Sequence, residues 1–76
     1  MKIERKRLSK QHIAIEVSGN AKKVSLLTDK INANRDGYRL DHSDGFERDG
    51  LRVEEFVCHR KHSRRAIEFV RKMAGK

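Results

Sequence analysis

The sequence predicts a small α+β domain: a mostly antiparallel sheet of three to four strands with two helices on one face, in the order β-α-β-(β)-β-α. Three observations carry that expectation. Apolar residues alternate at Ile13, Ile15 and Val17 and again from Leu51, the period of half-buried strands. Apolar residues recur at helical spacing at Val24, Leu27 and Ile31, and again from Ala66 to Ala74. Asp-Gly pairs at 36–37, 44–45 and 49–50 punctuate the middle, where Gly accepts positive φ and Asp bonds its own backbone.

Residues 1–10 read as a basic, partly mobile arm with only Ile3 and Leu8 to anchor it, and residues 11–76 as one domain. His12–Val17 is the first strand, closed by Ser18-Gly19-Asn20. A helix over Ala21–Asn34 follows, with Ser18 or Asn20 as N-cap, although Val24–Leu27 also suits a strand hairpinned to the first. Tyr38–His42 alternates as a second strand, Phe46–Arg48 is a brief strand or loop, and Leu51–Cys58 is the longest strand. Adjoining apolar residues at Phe56 and Val57 predict a bulge or burial on both faces. Ser63 is the expected N-cap of a final helix through Ala74, with Gly75 as its stop.

Seventy-six residues allow one modest core. The single cysteine, Cys58, cannot form an internal disulfide, so stability must come from packing or a partner chain. No apolar run approaches the roughly 20 residues that cross a bilayer, and the first residues lack the apolar stretch of a secretory signal. The expectation is a cytoplasmic protein without membrane contact.

The formal charge of +8 is unevenly spread. Lys2, Arg5, Lys6, Arg7 and Lys10 oppose one acid, Glu4, while Arg60, Lys61, Arg64, Arg65, Arg71, Lys72 and Lys76 oppose only Glu68. The stretch between them is slightly acidic. Clustered cations at both ends are what a phosphate-tracking face requires, because they raise the local potential and release counterions on contact.

The densest run is Arg60-Lys61-His62-Ser63-Arg64-Arg65, between the longest strand and the last helix. Arginine forks grip phosphate in bidentate fashion, and the free N–H groups of a helix start add donors at the same place. The run resembles the start of the second helix of double-stranded-RNA-binding domains, which implies phosphate contacts across a groove. In element order the resemblance spans residues 20–75, but the chain has no counterpart of the Gly-Pro-x-His segment of those domains. The element order also resembles small ribonuclease toxins of bacterial toxin–antitoxin systems, which implies His42 as a catalytic histidine. Here it stands before Ser43, the reverse of that family's Ser-His order.

Other constellations are weaker. Cys58, His59 and His62, with His12 or His42, lack the paired spacing of a structural zinc site. Aligning Gly45 with the invariant glycine of a calcium loop puts Leu40 at the first ligand position. Asp41, Asp44, Glu47 and Asp49 read as turn-forming acids rather than holders of a divalent metal. Neither Cys58 nor Ser63 sits in a nucleophile motif. No cofactor or metal is implied, and the few aromatics favour backbone contacts over base stacking.

The leading expectation is a small nucleic-acid-binding accessory or regulatory protein, for DNA or RNA, that contacts the phosphate backbone through Arg60, Lys61, Arg64, Arg65, Arg71 and Lys72, with Arg5, Lys6 and Arg7 from the arm. The alternatives are a phage or mobile-element inhibitor docking on an acidic protein surface, and a small ribonuclease using His42 as acid or base. The absence of a catalytic signature favours the non-enzymatic readings.

Overall fold

In the computed structural model, which describes residues 1–34 and 38–75, the strands are Lys2–Arg7 (β1), His12–Gly19 (β2), Asp41–Arg48 (β3) and Leu51–His59 (β4). The helices are Ala21–Asn34 (α1) and Ser63–Met73 (α2), preceded by a 3₁₀ turn at Arg60–His62. The order is ββαββα, and the four antiparallel strands lie as β1-β2-β4-β3.

The expected arm is therefore corrected to an edge strand: Lys2–Arg7 pairs with Ser18–Ile13. Its alternation escapes a hydrophobicity reading because Ile3 is followed on the same face by Arg5 and Arg7, not by further apolar residues. Charged side chains on an edge strand also discourage pairing with another chain.

A second correction concerns the middle of the chain. Strand β3 begins at Asp41 and absorbs both Asp44-Gly45 and Phe46–Arg48, so Tyr38–Leu40 precedes the strand and residues 20–75 run α-β-β-α. The Asp44-Gly45 pair makes no turn. The irregularity expected near Phe56 falls on the facing strand instead, as a register shift between His42 and Asp44. Asp49-Gly50 is the turn, with φ of 54° and 78°, the two positive values of a type I′ hairpin. The Asp36-Gly37 pair lies outside the described residues.

Cross-strand partners share a face, so Ile13, Ile15 and Val17 fall with Phe56 and Cys58 on one side of the sheet. Val24, Leu27 and Ile31 of α1 and Ala66, Phe69 and Val70 of α2 pack onto them. Both helices thus cover the same face. Each fully buried Ile, Val or Phe contributes about 1.5–3 kcal/mol. The radius of gyration, 11.4 Å, matches the roughly 11 Å of a folded chain of this length. Among the described residues no helix is long and apolar enough to cross a membrane.

Asn20 caps α1, its Oδ1 accepting the N–H groups of Lys22 at 3.0 Å and Lys23 at 3.3 Å. The expected cap at Ser63 is corrected. The chain enters the 3₁₀ turn first, where His59 Nδ1 accepts the Lys61 N–H at 3.2 Å, and Ser63 is already the buried first residue of α2. Gly75 ends α2 as predicted, at φ 79°.

Candidate nucleic-acid interface

Because β2 lies between β1 and β4, pairing brings the turn after β1 beside the segment that follows β4. His12 opposes His59 and Ile13 opposes Cys58, which sets the β1–β2 turn beside the exit of β4. The Arg60 N–H donates to the Gln11 carbonyl at 2.7 Å. The turn itself is braced: Ser9 Oγ accepts the N–H groups of Gln11 at 3.3 Å and His12 at 3.1 Å, and Leu8 N–H donates to the His12 carbonyl. Arg7 and Lys10 therefore share one end of the sheet with Arg60 and Lys61, all four exposed.

Of the nine predicted cations, Lys6 faces away from that surface. Arg5 and Arg7 oppose Ile15 and Ile13 and so lie on the helix-covered face, whereas Lys6 opposes Ala14 on the other. There Lys6 and Arg48 both hold the buried Glu16 carboxylate, each at 3.2 Å. Lys6 thus serves a carboxylate on the face away from the helices. Arg64, Arg65, Arg71 and Lys72 are exposed along α2. The seven-residue steps from 64 to 71 and from 65 to 72 are two turns, about 10 Å, on one side of the helix. The Arg64–Glu68 approach, 3.8 Å between two well-exposed side chains, restrains little.

Arg65 is better fixed. Its guanidinium lies 5.8 Å from the Tyr38 ring centroid, and Tyr38 stacks on Phe69 at 4.1 Å and 10°. The sequence reading missed Arg39, which it placed within the alternating Tyr38–His42 strand. Arg39 has φ 53°, and this left-handed turn puts it with Tyr38, His62 and Arg65 around a cleft of about 230 Å³. An adjoining hollow adds His12, Asp41, His59 and Lys61.

Three histidines run across this end. His12 and His59 meet edge-on at 5.6 Å between centroids, and His59 and His62 at 6.3 Å. Partial desolvation, and then repulsion from Arg39, Lys61, His59 and Arg65, hold the His62 pKa below its ordinary value. Among the described residues, no group of three His, Cys, Asp or Glu side chains is placed to hold a metal ion. Cys58 is buried, and burial pushes its thiol up despite the opposing field of Arg5, so it is a poor nucleophile.

His42 belongs to a different cluster, on the helix-side face of β3. Its Nε2 bonds Glu54 Oε2, and its ring stacks on Phe56 at 4.8 Å. Glu54 Oε1 accepts from Arg52 Nε at 2.9 Å and Nη2 at 2.7 Å. Gly45 lies against Arg52 and Glu54. Ser43 bonds Glu55 at 2.7 Å on the opposite face and does not assist His42.

Comparison with known proteins finds no matching family model, no similar curated protein and no similar solved structure. Function must therefore be argued from the site itself.

Proposed function

We propose that the protein binds nucleic acid through the phosphate backbone, as an accessory or regulatory factor, using the sheet end where its two basic segments meet. The observation that carries this reading is the union of Arg7 and Lys10 with Arg60, Lys61 and the start of α2, fastened by the Arg60–Gln11 hydrogen bond. Cations far apart in the chain are concentrated on one end of the molecule, and Arg39 adds to them. Such a surface attracts a polyanion by charge and counterion release, and it carries little base readout.

Fluorescence anisotropy with duplex DNA, duplex RNA and single strands over a salt series tests this. If about six phosphates are neutralised, log K falls with log salt at a slope near −5 on a duplex. A protein that ignores every probe at low salt, but forms a stoichiometric complex with an acidic protein, is an inhibitor instead.

One observation favours a second reading, RNA cleavage at His42. Glu54 orients the imidazole through Nε2, itself held by Arg52, which leaves Nδ1 free to exchange a proton with a bound strand. Cleavage of RNA that is lost in His42→Ala, with RNA affinity unchanged, would establish it.

A further inference from the structure

Among the described residues, the cleft beside α2 gathers cations and no carboxylate. Tyr38, Arg39, His62 and Arg65 line it. In the adjoining hollow, β2 contributes His12, β4 contributes Val57, Cys58 and His59, the 3₁₀ turn adds Lys61, and Asp41 of β3 is the one acid among the described residues. Arg39 reaches this place through a left-handed backbone, a costly conformation for a residue other than glycine. Arg65 lies 5.8 Å over the Tyr38 ring, and Tyr38 stacks on Phe69, which sets the position of that wall. At about 230 Å³ the cleft is smaller than the roughly 300–1,000 Å³ of pockets that enclose whole drug-sized ligands. Its size and charge suit a compact anion.

We infer that this cleft seats a single phosphate group between Arg39 and Arg65, with Lys61 and His62 beside it. The inference rests on the backbone-binding reading above and adds a defined subsite to it. Arg65 and Arg39 supply guanidinium forks, which match phosphate oxygens in bidentate fashion. Desolvation and then repulsion from its cationic neighbours disfavour a charged imidazole at His62, and a bound phosphate offsets the repulsion. By linkage, a site that prefers protonated His62 takes up a proton as it fills, and its affinity for a phosphodiester, whose own charge is constant over this range, rises as the pH falls.

The test follows the His62 ring proton by NMR against pH, with and without inorganic phosphate, its resonance assigned from His62→Gln. Wild-type protein is compared with Arg39→Asn, which keeps a residue tolerant of positive φ. The expected result is a rise of about one unit in the His62 midpoint with phosphate, equivalent to about a tenfold preference of the protonated form, and little rise in Arg39→Asn. An unmoved midpoint, or the same rise in both proteins, would overturn the assignment.

Oligonucleotides with and without a 5′-phosphate identify the source. Tighter binding of the phosphorylated strand that depends on Arg39 marks a chain end, and equal binding that depends on Arg39 marks an internal phosphate. If wild-type protein binds strands while inorganic phosphate leaves His62 unmoved, the subsite fails and the backbone reading survives. If phosphate moves His62 but no strand binds at low salt, the subsite stands and the nucleic-acid reading fails.

Discussion

The Arg60 N–H donates to the Gln11 carbonyl at 2.7 Å, so the second basic segment is fastened to the turn that ends the first. This bond turns two charge runs at opposite ends of the sequence into one surface. It uses the backbone alone, so side-chain substitutions can strip the charge without cutting the link.

Replacing Arg60, Lys61, Arg64 and Arg65 together with Ala is therefore expected to abolish nucleic-acid binding while the fold persists. All four are exposed, and surface substitutions of this kind each shift stability by about 0.5 kcal/mol or less. Arg65 also loses its stacking on Tyr38, so a small drop in melting temperature accompanies the loss of binding. Circular dichroism and anisotropy on the same sample separate the two effects.

Gly45→Ala should destabilise the fold by only about 1 kcal/mol, the low end of overpacking costs, because the groups in its way are the flexible ends of two side chains. A Cβ at this position would stand 2.6 Å from Arg52 Nη2 and 2.7 Å and 2.8 Å from the Glu54 carboxylate oxygens. Gly50→Ala is the informative comparison: its Cβ meets nothing within 4 Å, so any loss there reflects its φ of 78° alone. Urea denaturation of the two variants measures the difference.

The Gly45 contact also shows where the sequence stops being legible. Asp44-Gly45 has the composition of a turn, yet it continues strand β3 with its glycine against the ends of Arg52 and Glu54 on the neighbouring strand, which no local reading detects. Asn20, Asp49-Gly50 and Gly75 were legible because caps and tight turns depend on backbone conformation at the residue itself. The core positions were legible because their periods of two and about 3.6 survive in the chain. Strand β1 was not, since an edge strand needs few apolar residues and Lys2–Arg7 supplies one. Within the site, the 60–65 cluster could be read directly as charge. Arg39 could not, because its place beside α2 goes with a left-handed backbone that its residue type does not announce.

Cys58 should resist thiol reagents in the folded protein near pH 8 and react on unfolding. Burial holds its folded pKa above the ordinary 9.0, so the native state keeps the proton longer than the unfolded chain does. Stability from this group is complete below pH 9.0 and declines as the pH rises through the folded value. Thiol-labelling rates with a chromogenic disulfide, across pH and urea, check both statements.

His62 works in the opposite direction. Its folded pKa lies below the ordinary 6.5, so the unfolded chain binds the proton more readily. Its stabilising effect is complete above pH 6.5 and is lost as the pH falls through the folded value. Thermal melts between pH 7.5 and pH 5 should show a loss of stability that His62→Gln reduces.

The most direct test of the shared surface compares salt slopes of duplex binding for wild-type protein, Arg7→Ala/Lys10→Ala, and Arg60→Ala/Lys61→Ala. If both segments contact one backbone, each double variant lowers the slope by about 2, as expected for two lost phosphate contacts. Unchanged slopes in either variant would contradict the account, because that segment would then lie outside the interface.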